Sequence, residues 1–160
     1  MRKPYRKSSW NYYSIKLIYQ MTVTSSPIPE RIDEDYSDTH TFFEESIILV
    51  RAQSFDHAFK IAEQKAREIN GAHINPYEQT VETRLIEAID CYLIGDEITG
   101  GVEVYSSCTP VHKEMTANEY LMRKYDYSLE NCEWNKQQRE KYINLQKVIR
   151  FEDFSKWRKE

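Results

Sequence analysis

The sequence predicts an α+β domain: a four-stranded, mainly antiparallel sheet in the chain order ββαββ, one helix on a face, and helices added at the C-terminus. Three observations predict it. Residues 12–23 alternate apolar and polar with a period of two. Residues 46–52 form a near-continuous, β-branched apolar run. Residues 54–70 carry apolar side chains three and four apart, between a serine and a glycine. The core is read over 1–110, and a helical extension packed on it over 111–160.

The elements follow in order. In the first strand Tyr13, Ile15, Leu17, Tyr19, Met21 and Val23 share one face, with Ser14, Lys16, Gln20 and Thr22 on the other. Pro27 and Pro29 stop pairing, and the acidic stretch ERIDEDYSD makes a long loop. Ile47, Ile48 and Val50 mark Ser46–Ala52 as a central strand covered on both faces. Ser54 caps a helix whose apolar face is Phe55, Ala58, Phe59, Ala62, Ala66 and Ile69; Asn70-Gly71 ends it, with Gly71 free to take positive φ. A third strand runs over 80–94, apolar at Val81, Leu85, Ile89, Cys91 and Leu93, with a bend near Ala88. The turn GDEITGG leads to a returning strand, Val102–Ser107. Thr116 and Glu119 form a capping box that opens a helix to about Tyr125, and 128–149 is helical with a patchy stripe. Phe151, Phe154 and Trp157 recur every third residue; exposed, they would pair two copies as a homodimer.

Composition narrows the function classes. A chain of 160 residues is long enough for a core without staples. No apolar run approaches the ~18 residues of a membrane helix, and no signal-type core follows the basic start, so no membrane partner and a cytoplasmic location are expected. Cys91, Cys108 and Cys132 are odd in number and lack C-x-x-C spacing, which argues against disulfides and structural zinc. The net charge of −4 is unevenly spread. Residues 27–109 hold seventeen acids and six Lys/Arg, a local charge of −11. That middle repels phosphate backbones and speaks against nucleic acid, while it would attract a basic protein.

No catalytic motif appears. There is no glycine-rich turn at a helix start, no G-x-S-x-G, and His40, His57, His73 and His112 stand apart. No cofactor and no catalytic residue is therefore expected. The acids of ERIDEDYSD lack the glycine of a calcium loop, so no metal ligands are assigned; the stretch reads as a solvated loop or a partner-contact loop. In the second reading Asp33, Glu34, Asp35 and Asp38 meet a basic surface with Tyr36 as aromatic anchor. Glu44 and Glu45 point to opposite faces. One turns inward near Trp10 or Tyr105 and pairs with a cation such as Lys16 or Arg84; a structural ion pair outweighs an acid–base role.

Three blocks, W-x-x-Y-S-x-K-L from Trp10, E-E-S-I-x-L-V-x-A from Glu44 followed by S-F-x-x-A from Ser54, and G-x-E-V-Y-S from Gly101, occur in order. Together they resemble a small bacterial domain-of-unknown-function family, number four-two-eight-eight, over about residues 10–107. The resemblance implies a bacterial or phage-derived cytosolic α+β protein and brings no activity and no site residues. The expected function is a small protein-binding module that neutralises or regulates a partner with a basic surface, most concretely an immunity-type inhibitor of a bacterial toxin. The alternatives are a small-molecule or peptide sensor, with its ligand between sheet and C-terminal helices near Trp10, Glu45 and Tyr105, and an enzyme of unrecognised chemistry.

Overall fold

The computed structural model describes residues 10–150. Phe151, Phe154 and Trp157, and the pairing expected of them, lie outside that range. The elements run β1 (Asn11–Val23), β2 (Phe42–Ala52), α1 (Phe55–Ile69), β3 (Gly71–Ile74), β4 (Thr80–Gly95), α2 (Ala117–Tyr125) and α3 (Cys132–Leu145). The sheet order is β2-β1-β4-β3, and β1 pairs antiparallel with both neighbours. The α+β class and the order ββαββ hold. No described helix is long and apolar enough to cross a membrane.

Of the described residues, 10–23, 41–72 and 81–107 form one compact unit. The alternation of β1 decides its core. Tyr13, Ile15, Leu17 and Tyr19 are buried in one cluster with α1, which presents the fully buried Ala58, Ala62 and Ala66. Small residues four apart let the helix axis approach the sheet closely. Phe55 and Ile69, at the helix ends, are about half exposed, so the packed stripe is narrower than the sequence face. Ser54 caps the helix as expected, accepting the His57 N–H at 3.1 Å.

Four expectations need correcting. β1 is an inner strand, whereas β2 is an edge: Phe43, Ile47 and Leu49 are exposed, so the apolar run of β2 is covered on one face only. Gly71 has no positive φ; it opens β3, a strand too short at four residues to show a period. Val102–Ser107 is not a strand. It crosses the outer face of the sheet, where Ser14 Oγ donates to the Val104 carbonyl and the Tyr92 and Tyr105 hydroxyls donate to Glu103 and Asp90. The helix expected over 128–149 is α3 alone, capped by Asn131 and followed by a 3-10 turn at Gln146–Val148. The bend expected near Ala88 is present. The register against β1 slips between Lys16 and Leu17, so Ala88 takes the core position and Ile89 is extruded, 53% exposed.

The second unit comprises 24–40, 73–80 and 108–150. α2 begins at the predicted capping box, with Thr116 and Glu119 bonding reciprocally. Buried Asn135 ties α3 to its own approach, accepting the Ser128 N–H and donating to the Ser128 carbonyl. The 3-10 turn after α3 brings Lys147 and Val148 into the interior of this unit.

Candidate partner-binding surface

The long loop 24–40 is highly organised. Pro29 starts a 3-10 turn, Pro29–Arg31, in a chain that prolines have already barred from pairing. Asp33 then bonds its own backbone: Oδ1 accepts the Asp35 N–H at 3.1 Å, and the Asp33 carbonyl accepts the Tyr36 N–H. The same carboxylate reaches out of the loop. Oδ1 accepts the Tyr77 hydroxyl at 2.8 Å, and Oδ2 lies 3.3 Å from Lys147 Nζ. Asp35 Oδ2 is 2.8 Å from the same ammonium. Lys147 is 10% exposed and sits between two carboxylates, the arrangement that a buried cation requires. Burial alone would push the Asp33 carboxyl up; the Tyr77 hydroxyl and Lys147 outweigh it and hold the group below its ordinary value.

The turn Asn75–Gln79 is the loop's floor. Asn75 Oδ1 accepts the Tyr77 and Gln79 N–H groups, while Nδ2 donates to Gln79 Oε1 and to the Val148 carbonyl. Gln79 Nε2 donates to the Ser25 carbonyl and to the Tyr36 hydroxyl. The Tyr36 ring meets Tyr77 edge-on, centroids 5.0 Å apart. His73 Nε2 donates to the Ile149 carbonyl at 2.7 Å. Glu78 holds a left-handed φ of 60° and pairs with Arg31 at 3.1 Å. What this network leaves facing solvent is Glu30, Glu34 and Asp38, beside the half-exposed Ile28 and Ile32.

In the other unit, the outer sheet face holds a second cluster. Lys16 Nζ lies 3.2 Å from Glu45 and 4.8 Å from the Tyr105 ring centroid. The bonds to Glu45 and Tyr105 push the Lys16 pKa up. Cys91 is driven the opposite way from a reactive thiol: burial and Asp90 raise it to about 11, so it stays protonated at neutral pH. A shallow cleft of about 240 Å³ lies between α1 and β4, lined by Glu63, Arg67, Asn70, Leu85, Ile86 and Glu87. Among the described residues no group of His, Cys, Asp and Glu is placed to hold a metal ion.

Residues 12–106 match the model of a family described as Domain of unknown function (DUF4288). The chain belongs to the DUF4288 family. No curated protein and no solved structure matches it. The DUF4288 match runs from β1 to just past Tyr105 and includes Asp33, Asp35, Asn75 and Tyr77, whereas Lys147 lies beyond it.

The DUF4288 chain thus sorts its sequence-predicted residues into different roles. Asp33, Asp35 and Tyr36 are tied inward; Glu34 and Asp38 face out. Glu45 and Tyr105 meet around Lys16 in the expected ion pair, but Glu45 does not turn inward, its side chain being 65% exposed, and Arg84 instead donates to Gln20. Trp10 does not join them. Its ring lies 5.6 Å from His57, about 20 Å along β1 from Lys16 at 3.3 Å per residue. Sequence reasoning missed Tyr77, Asn75, Gln79 and Lys147. The Asn75-Pro76 pair signals a turn, and Asn75 is the residue type that bonds nearby backbone. Lys147 carries no such signal, because a lone lysine beside the apolar Leu145, Val148 and Ile149 reads as the solvated side of a patchy helix.

Proposed function

We propose that this DUF4288 protein is a protein-binding module that neutralises or regulates a partner, with loop 24–40 as its contact surface. One observation supports this reading above the others: an acidic loop is held in one shape by its own carboxylates, tyrosines and Lys147, and still directs Glu34 and Asp38 to solvent. A loop ordered before binding loses less conformational entropy on association. Its outward acids would speed encounter with a basic surface, and Ile28 and Ile32 would supply apolar contact area. The mechanism is occlusion of a basic cleft on the partner. The most concrete form is an immunity-type inhibitor that meets a toxin in the cytoplasm.

Capture from a lysate of the source organism tests the reading, with the wild-type chain and a Glu34→Lys/Asp38→Lys variant as baits. Both positions are exposed, so the variant keeps the fold. Retention of one stoichiometric basic protein by the wild type, and its loss from the variant, is the expected outcome. Equal retention by both baits, or retention of nothing, removes the loop from the function.

A further inference from the structure

We propose that loop 24–40 and the turn beneath it form a socket for a lysine-bearing peptide segment, and that this chain's own Lys147–Ile149 fills that socket in place of a partner's segment. The socket lies on the inner side of the loop. The inference therefore goes beyond the contact surface made by Glu34 and Asp38 and does not rest on it.

Three consecutive residues are each held by a different group. The Lys147 ammonium lies 2.8 Å from Asp35 Oδ2 and 3.3 Å from Asp33 Oδ2. Asn75 Nδ2 donates to the Val148 carbonyl at 2.7 Å, and His73 Nε2 donates to the Ile149 carbonyl at 2.7 Å. The Val148 and Ile149 side chains are 2% and 4% exposed. What the segment offers is an ammonium, two backbone carbonyls and two apolar side chains. Any peptide with a lysine followed by two aliphatic residues offers the same set. A neutral residue in place of the lysine would leave two carboxylates facing each other without a cation, so the socket discriminates by charge.

The socket is largely built without its occupant. Asn75 is 3% exposed, and its Oδ1 already accepts the Tyr77 and Gln79 N–H groups. The Tyr77 hydroxyl positions Asp33, and Gln79 holds the Ser25 carbonyl. A site ordered in this way loses little entropy on accepting a ligand. Asp33, Asp35, His73 and Asn75 all lie within the family match of residues 12–106, whereas Lys147–Ile149 lie beyond it. The family domain thus carries the socket, and the appended segment supplies the occupant. A tethered occupant acts as a ligand at an effective concentration on the order of millimolar, which excludes a dilute competitor until the turn leaves.

Fluorescence anisotropy of a labelled, end-blocked peptide with the sequence of residues 144–150, NLQKVIR, tests this on the full chain. The wild type, its socket filled, is expected to bind the peptide weakly. Lys147→Glu sets a third carboxylate against Asp33 and Asp35, drives the turn out and tightens peptide binding at least about tenfold. Replacing the peptide's lysine by methionine removes that gain. Circular dichroism verifies that the variant is folded. Should the charge reversal unfold the chain, Lys147→Gly/Val148→Gly weakens the occupant without adding a charge and carries the same expectation. A folded variant that binds the peptide no better than the wild type overturns the proposal, as does a methionine peptide that binds as tightly as the lysine one.

Discussion

Lys147 is the residue on which the second unit turns. Its ammonium is 10% exposed and faces Asp33 and Asp35, so removing it leaves two half-covered carboxylates without their cation. Lys147→Met is expected to lower stability by about 1–2 kcal/mol in urea unfolding at neutral pH. The effect is pH-dependent with a definite sign. Asp33 has a folded pKa below its unfolded value, so its contribution is present above about pH 4 and is lost as pH falls through the folded value. Unfolding measured from about pH 6 down to pH 2 should show a shallower acid loss for Lys147→Met than for the wild type. Tyr19 offers the opposite case. Its hydroxyl is buried in the core with no hydrogen-bond partner among the described residues, and burial raises its pKa. Tyr19→Phe should therefore be neutral or stabilising by up to about 1 kcal/mol in thermal unfolding, where a bonded tyrosine would lose stability.

At the scale of elements, α1 and β1 depend on each other through small side chains. Ala58, Ala62 and Ala66 are fully buried against Ile15 and Leu17, which leaves no room for a longer residue. Ala62→Leu is expected to cost about 1–3 kcal/mol in chemical denaturation through overpacking, since Leu is nearly as good a helix former as Ala. These elements were legible in the sequence, because a strict period of two in β1 and a capped period near four in α1 each have one structural solution. β2 was legible as a strand but not as an edge. A run of Ile47, Ile48, Leu49 and Val50 has the same composition whether one face is covered or both, and only the sheet order distinguishes them. β4 shows a further limit. Leu85, Ala88 and Cys91 share the core face at intervals of three only because the register against β1 slips on both sides of Ala88, which leaves Ile86 and Ile89 outward. Val102–Ser107 misled for a different reason: its polar and aromatic groups bond to the sheet's face and leave its backbone outside the ladder.

For the molecule as a whole, charge and order combine. The acidic character of residues 27–109 was plain from the sequence, and so was the candidacy of the loop within it. The division of that loop into inward and outward acids was not, because it depends on Tyr77 and Lys147, which lie 44 and 114 residues from Asp33 in the chain. If Glu34 and Asp38 carry the encounter with a basic partner, binding should weaken as salt shortens the screening length toward a few ångströms. The claim at the centre is that the loop is already ordered in the free protein, and hydrogen exchange measures that directly. In the wild type the amides of Ile28, Asp35, Tyr36 and Thr80, each bonded within this unit, should exchange at least about tenfold slower than in an unstructured chain. They should speed up in Lys147→Met, with the ladder amides of β1 as the internal reference. Exchange of those four amides at unstructured rates in the wild type would contradict the account, because a loop that is not held has no fixed surface to offer.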